Sequence, residues 1–288
     1  MTVSSEDSTL LARAPHRIGR VVLVVHDLDR VVGFYRDAIG LDLLHRDAAG
    51  ADLGVGESVL LTLRVDSSAR RSGAREAGLF HTAFLLPTRA DLGAWLRHAA
   101  ARGLRLDGAA DHLVSEAVYL SDPEGNGIEI YADRPDAAWP RTATGVVMAN
   151  APLDRPAVMA LADAPWRGLP AGASVGHVHL RVGALEPADR FYAGLLGLDV
   201  TCRFPGARFY GSGGYHHQLA ANIWHSEDAR PADGPRTGLA AIEIRVAAEA
   251  LAATRQRLRE AGVGVETGPD GGLSVAEPWG VALRLVPA

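Results

Sequence analysis

The chain has 288 residues, which suits about two domains with sizeable hydrophobic cores, and its net charge is −5. Its 29 Lys and Arg residues are outnumbered by 34 Asp and Glu residues and form no dominant basic patch, which argues against nucleic-acid binding. The single cysteine, Cys202, excludes an intramolecular disulfide framework and fits a reducing compartment. No apolar run approaches the roughly 18 residues of a membrane span, and residues 1–14 lack a signal-peptide pattern. These features predict a cytoplasmic globular protein without a membrane or nucleic-acid partner.

The first predicted unit is a strand followed by an amphipathic helix. The strand covers residues 18–25, and apolar side chains recur at helical spacing over residues 30–39. Gly40 ends the helix as a C-cap. Weak strands follow around residues 59–65, and the polar residues 67–78 are predicted to form a loop.

The second unit repeats the strand and helix and adds a clear hairpin. A strand over residues 78–86 precedes a helix whose capping box is Thr88 and Asp91. Residues 117–131 are predicted to form two strands joined by an Asp-Pro-Glu-Gly-Asn-Gly turn. In the second strand, Glu129 faces away from its two isoleucine neighbours, because side chains alternate along a strand. Glu129 is therefore a candidate metal ligand, with a solvated strand Glu as the alternative.

The pattern of the first unit returns 157 residues later without a gap. Residues 175–182 match residues 18–25, and Phe-Tyr at 191–192 and Gly-Leu-Asp at 197–199 keep the same offset. Residues 238–241 and 277–280 echo the second unit in turn. The chain is therefore predicted to contain four copies of one βαβββ module. The predicted domains are residues 1–17 (N-terminal tail), 18–133 (modules one and two), 134–172 (Pro-rich linker) and 173–288 (modules three and four).

A Gly-His-Val opening, a Phe-Tyr helix and an Asp-Pro-x-Gly-Asn-x-Ile-Glu ending resemble the vicinal oxygen chelate superfamily. Within it, the chain is similar to the type I extradiol dioxygenases of the catechol 2,3-dioxygenase kind. The resemblance covers nearly the whole chain apart from the tail and the linker. It implies an α+β fold in which pairs of modules curl their sheets into two cups, with a divalent metal inside one of them.

The resemblance also implies a set of metal ligands. Family members place a His on the first strand of each paired module and a Glu on the last strand of one module. These positions hold His81 and Glu129 in module two and His177 in module three. The matching positions in modules one and four hold Arg20, Ala241 and Arg284. The ligand set implies that module two pairs with three and module one with four, unlike the commoner layout, in which modules three and four hold the metal.

Two histidines and one carboxylate on a metal suit non-haem Fe(II), with Mn(II) as the alternative. Buried, hydrogen-bonded strand histidines remain the alternative for His81 and His177, and His179 is a rival for His177 as the ligand. By the same resemblance, the catalytic residues are His217 as acid–base, Tyr119 and His112. The residues expected to contact substrate are His216, His179, Trp224 and His225.

The expected activity is cleavage of a catecholic ring by O2, next to its two hydroxyls. A glyoxalase-like isomerase or lyase is an alternative, although its chemistry uses a second Glu, which is not evident in module three. A metal-free protein that binds bleomycin-type drugs is the other alternative, and it would place apolar residues at the three ligand positions. The ring substituents are not determined by the sequence, and a homo-oligomer is compatible with it.

Overall fold

The computed structural model describes residues 9–231 and 233–288, so the first eight residues of the predicted tail lie outside the described part. A short helix, α1 (Leu10–Arg13), precedes the first module. Module one then consists of β1 (His16–Val25), α2 (Leu28–Phe34), β2 (Asp42–Arg46), β3 (Gly50–Val55) and β4 (Ser58–Val65). Module two consists of β5 (Gly78–Leu86), α3 (Arg89–Ala101), β6 (Gly108–Asp111), β7 (Ser115–Ser121) and β8 (Gly127–Asp133).

The second half of the chain repeats this order after a connection. The connection contains a 3-10 turn (Asp136–Ala138), β9 (Arg141–Thr142), β10 (Gly145–Val146) and α4 (Arg155–Ala160). Module three consists of β11 (Ser174–Arg181), α5 (Leu185–Ala188), β12 (Asp199–Phe204), β13 (Ala207–Gly211) and β14 (Leu219–Asn222). Module four consists of β15 (Gly238–Val246), α6 (Ala248–Glu260), β16 (Glu266–Thr267), β17 (Leu273–Ala276) and β18 (Ala282–Pro287). The four predicted modules are therefore confirmed.

The strands form two curled eight-stranded sheets, and each sheet combines one module from each half of the chain. The first sheet has the order β16-β17-β18-β15-β1-β4-β3-β2, and the second has the order β12-β13-β14-β11-β5-β8-β7-β6. The halves meet at antiparallel pairs, β1 with β15 and β11 with β5. The predicted pairing of module two with three and of module one with four is therefore confirmed. The exact residue boundaries of the predicted domains stay a prediction.

Helix α3 shows how the local sequence sets the two faces of the second sheet. The Thr88 hydroxyl and the Asp91 carboxylate form the predicted capping box. The apolar face of α3, including Trp95, is buried in the same core as Ile128 and Ile130 of β8. Since side chains alternate along β8, this packing turns Glu129 toward the concave face of the sheet.

Some local features were not predicted. The helices of modules one and three both continue as π-helices, over Tyr35–Ile39 and Asp189–Leu195. Strand β2 was missed because its exposed residues show no alternation of apolar and polar side chains. In the connection, α4 packs so closely on α3 that a Cβ at Gly93 would overlap the Val158 carbonyl oxygen. None of the described helices is long and apolar enough to cross a membrane.

Candidate metal centre and its cavity

His81, His177 and Glu129 meet on the concave face of the second sheet. The His81 Nε2 atom lies 2.9 Å from Glu129 Oε2 and 3.3 Å from His177 Nε2. The His177 Nε2 atom lies 3.1 Å from the same carboxylate oxygen. All three side chains are buried, and they form the one potential metal-binding group found among the described residues. These are the three ligands expected from the resemblance.

The separations of the three donor atoms match a known metal coordination geometry. Ligands about 2.1 Å from one ion are separated by about 3.0 Å on an octahedral face and by about 3.4 Å in a tetrahedron. The observed sides of 2.9, 3.1 and 3.3 Å are closer to the octahedral value on average. The three donor atoms therefore fit one face of an octahedral divalent ion, leaving its remaining positions to other ligands.

The protonation states of these residues suit metal binding. Burial by itself would raise the pKa of Glu129, but His177 and His81 beside it hold that pKa well below its usual range. Burial lowers the pKa of His177 to about 4, although Glu129 acts in the opposite direction. At neutral pH the carboxylate is therefore ionised and His177 is neutral, which are the forms that bind metals.

Backbone features of β11 bring His177 to the site. The pairing of β11 with β5 shifts register between Val175 and His177, which is a bulge at Gly176. A Cβ at Gly176 would overlap the Tyr131 hydroxyl, so glycine is required at this position. The glycine that opens the Gly-His-Val pattern thus makes room for a buried tyrosine beneath the ligand.

The three donor atoms lie in the wall of a cavity of about 220 Å³. An apolar cavity of about 150 Å³ is large enough to bind benzene, so this one can hold a single substituted ring. Residues from modules two and three and from the connection line it: Phe80, His81, His112, Ser115, Tyr119, Glu129, Met148, Asn150, His177, His179, Phe204, Phe209, His217 and Trp224.

His179 lies in the cavity wall but outside the ligand triangle. Its Nε2 atom lies 2.9 Å from the Asn222 amide nitrogen. Burial, with His81 and His177 nearby, lowers the pKa of His179 well below its usual range. This geometry favours His177 over His179 as the metal ligand.

Tyr119 and His112 form a hydrogen-bonded pair at the edge of the centre. Tyr119 lies directly opposite Glu129 in the antiparallel β7–β8 ladder, and its hydroxyl is 2.6 Å from His112 Nε2. The His112 Nδ1 atom is 2.8 Å from the Ala149 carbonyl oxygen, which can only accept a hydrogen bond. His112 therefore donates from Nδ1 to the Ala149 carbonyl, and in its neutral form it accepts a hydrogen bond from the Tyr119 hydroxyl at Nε2. Burial and the Glu129 carboxylate raise the pKa of Tyr119 well above 10, so Tyr119 keeps its proton.

His217 lies on the module-three side of the cavity. The centroid of its ring is 4.1 Å from that of His177. Its Nδ1 atom is 2.8 Å from His216 Nδ1, so Nε2 is the atom left for the cavity. Burial, together with His177, lowers the pKa of His217 well below its usual range. His217 is therefore neutral at neutral pH.

The expected set of substrate contacts needs two corrections. Trp224 lines the cavity as expected, but His225 is exposed and lies outside the cavity wall, because the chain turns at the surface after β14. His216 is fully buried behind His217 and does not line the cavity. Sequence reasoning missed Met148 and Asn150, because the irregular connection gave no signal that it reaches the cavity.

In the first sheet, charged pairs occupy two of the three positions that match the ligands, and the third holds Ala241. The guanidinium of Arg20, at the position matching His177, is 3.2 Å from the Glu243 carboxylate. Arg284, at the position matching Glu129, is 2.9 Å from Asp270.

Comparisons with known proteins agree with this fold. The profile of the Glyoxalase/Bleomycin resistance protein/Dioxygenase superfamily matches residues 17–130 and 174–285. A Bacillus subtilis (strain 168) protein, catechol-2,3-dioxygenase, is 38% identical over 256 residues, which span 86% of this chain and 90% of that protein.

Two solved structures are similar in fold alone. A candidate dioxygenase from Bacillus subtilis subsp. subtilis str. 168 has a TM-score of 0.66 at 15% identity, covering 94% of this chain and 84% of that one. Glyoxalase I from Zea mays has a TM-score of 0.57 at 18% identity, covering 96% of this chain and 93% of that one. Similarity of fold at such identities does not distinguish between their chemistries.

Proposed function

Because the chain belongs to the Glyoxalase/Bleomycin resistance protein/Dioxygenase superfamily, we propose that it is an extradiol dioxygenase, which opens a catecholic ring with O2 at a non-haem Fe(II) centre. The observation that carries the proposal is the buried triangle of His81, His177 and Glu129 in the wall of a cavity large enough for one ring. The 38% identity to the Bacillus subtilis catechol-2,3-dioxygenase supports the same activity.

His81, His177 and Glu129 would hold the metal through two imidazole nitrogens and one carboxylate oxygen. Their arrangement on one face suits Fe(II), with Mn(II) as the alternative. When bound, such an ion would supply a site for both hydroxyls of the diol and for O2 and would conduct electrons between them. The ring bond beside the diol would break, and both oxygen atoms would enter the product.

The other polar residues of the cavity would handle protons and orient the diol. His217 would take a proton from a substrate hydroxyl at Nε2 and return it later in the reaction. Tyr119, whose hydroxyl is anchored by the Nε2 atom of His112, would orient the substrate by a hydrogen bond from the opposite side of the cavity. Phe80, Phe209 and Trp224 would pack against the ring and its apolar substituents.

Specific observations argue against the two alternatives. Among the described residues that line the cavity, Glu129 is the one carboxylate, whereas a glyoxalase-like site with four protein ligands needs a second. A metal-free drug-binding protein would have apolar side chains at His81, His177 and Glu129, because a buried polar cluster is costly without a role.

The test is to purify the chain without air, determine its metal content, and supply catechol with O2. We expect about one Fe(II) per chain and the loss of one O2 per catechol, with both atoms of labelled ¹⁸O2 in the ring-opened product. An isomerase would consume no O2, and a drug-binding protein would leave catechol unchanged. Either result with a fully iron-loaded protein would refute the proposal.

A further inference from the structure

A chain of hydrogen bonds leads from His217 away from the cavity. His217 Nδ1 is 2.8 Å from His216 Nδ1, and His216 Nε2 is 2.9 Å from the Asp133 carboxylate. Asp133 ends β8, the strand that carries Glu129, whereas both histidines lie in the loop between β13 and β14. The three side chains thus join modules two and three behind the metal centre.

The His216 ring is held firmly between its two hydrogen-bond partners. It is fully buried, with its centroid 4.1 Å from that of Tyr215 and 5.0 Å from that of Trp139. The Thr201 hydroxyl also bonds to its backbone carbonyl. Because aromatic rings enclose it, His216 cannot turn without disrupting the surrounding core.

The Asp133 carboxylate sets the direction of the two hydrogen bonds that link it to His216 and His217. An ionised carboxylate only accepts hydrogen bonds, so His216 donates to Asp133 from Nε2. The Nδ1 atom of a neutral His216 then carries a lone pair and accepts from Nδ1–H of His217. A neutral His217 with its hydrogen on Nδ1 has an unprotonated Nε2.

We propose that Asp133 and His216 are positioning residues that hold His217 in the Nδ1–H tautomer, so that the lone pair of Nε2 faces the substrate. The catalytic meaning of this arrangement rests on the proposed dioxygenase function, in which His217 accepts a proton from the diol. The opposite tautomer would present Nε2–H to the substrate hydroxyl and could not accept its proton.

On the Tyr119 side of the cavity, a backbone carbonyl takes the place of the hydrogen-bond acceptor behind a histidine ring. There the Ala149 carbonyl accepts from Nδ1 of His112 and leaves Nε2 to Tyr119. The rings of His217 and His112 are thereby each fixed by an acceptor behind Nδ1. On the His217 side, the acceptor is the imidazole of His216, which is in turn hydrogen-bonded to the Asp133 carboxylate.

The first test is the tautomer itself, which does not depend on activity. In metal-free full-length protein with ¹⁵N-labelled histidine at pH 7.5, we expect the ring nitrogens of His217 to report a hydrogen on Nδ1. Comparison with the H217N variant would assign these resonances. A hydrogen on Nε2 of His217 would overturn the proposal even if the enzyme proved to be a dioxygenase.

The second test is Asp133→Asn, because an amide can donate to His216 and reverse the chain. We expect a gain of the Nε2–H form of His217 and a fall in kcat of about 10²–10⁴-fold, with KM and iron content within about twofold. Asp133→Glu, which keeps a carboxylate acceptor, should retain part of the Nδ1–H form of His217 and part of kcat. Asp189→Asn is the matched control, because Asp189 has similar exposure but pairs with arginines instead of histidine.

The two tests separate this inference from the proposed function. If His217 has the Nδ1–H form and Asp133→Asn changes it, the positioning role stands even when no catechol is cleaved, and only the proposed function fails. If Asp133→Asn leaves both the tautomer and kcat unchanged in an active enzyme, the positioning role is refuted. Should Asp133→Asn fail to fold, the tautomer in the unmodified chain still decides.

Discussion

His81, His177 and Glu129 meet because three neighbouring strands carry them at matched heights. Ala83 of β5 lies opposite His177 on one side and Glu129 on the other, and His81 is two residues earlier on the same face of β5. Ala83 is fully buried, and its small side chain leaves space between the two flanking ligands. The site therefore depends on a small residue as well as on the polar ones.

Replacing His81, His177 or Glu129 with Ala should abolish stoichiometric Fe(II) binding, because two remaining ligands hold the ion weakly. Metal content of protein loaded without air measures this. The same change at Arg284 in the other sheet should leave iron content unchanged. Iron that survives the loss of His81 would show that the ligand assignment is wrong.

Ala83→Val should weaken iron binding about tenfold or more, because added methyl groups in a packed site typically cost about 1–3 kcal/mol. Iron affinity can be measured by competition with a chelator. Ala241→Val, at the position in the first sheet that matches His81, is the control and should bind iron normally. Equal affinities for all three proteins would mean that Ala83 leaves more room than its register suggests.

His217→Asn should keep the metal and bind catechol, yet slow ring opening about 10²–10⁴-fold, the usual effect of a positioned acid–base group. Tyr119→Phe should have a smaller effect of the same kind. Single-turnover rates in iron-loaded protein measure both. Unchanged rates in the His217 variant would assign proton transfer to another residue.

At the scale of elements, the bulge in β11 brings the backbone of Gly176 so close to Tyr131 that no side chain fits there. Gly176→Ala should lower the free energy of unfolding by about 1–3 kcal/mol and reduce iron affinity, because the new methyl group would push against buried Tyr131. Urea unfolding and iron titration measure the two effects. A Cβ at Gly33 in α2 meets no atom within 4 Å, so Gly33→Ala should be neutral or stabilising. A fully stable Gly176→Ala protein would contradict this account.

At the scale of the whole molecule, His16 lies where the two sheets meet. It begins β1 of the first sheet, and its backbone N–H donates to the Ser212 hydroxyl of module three, 3.1 Å away. Its side chain is buried, and this burial, with Arg257 nearby, lowers the pKa of His16 to about 4. Protonation of His16 therefore opposes the packing of one sheet against the other.

The sign of the pH effect follows from linkage. Between pH 6.5 and about 4 the unfolded chain binds more protons at His16 than the folded chain, so stability falls as pH falls through this window. From pH 7.5 to 5, His16 should account for a loss of about 2 kcal/mol. Urea unfolding of metal-free protein measures this effect. Over the same pH change, the free energy of unfolding of His16→Asn should fall by about 2 kcal/mol less than that of the unmodified protein. Equal losses in both proteins would contradict this prediction.

The sequence by itself determined the repeat and most of the local structure. The 157-residue offset, the capping box of α3 and the Asp-Pro-Glu-Gly-Asn-Gly turn are local patterns, and they predicted elements that the structure confirms. The ligand candidates came from matching module positions to a known family, and that match also predicted the pairing of module two with three. The catalytic roles of His217, Tyr119 and His112 stay predictions.

Only the tertiary structure decided how distant residues complete the site. Asp133 and His216 are 83 residues apart, and His112 and Ala149 are 37 residues apart across the irregular connection. The exposed position of His225 was likewise set by the turn after β14. Periodicity reports which face of its own element a residue occupies, because it arises from the backbone geometry of that element. Which groups meet across elements depends on sheet pairing and on the path of loops, and no local pattern encodes these.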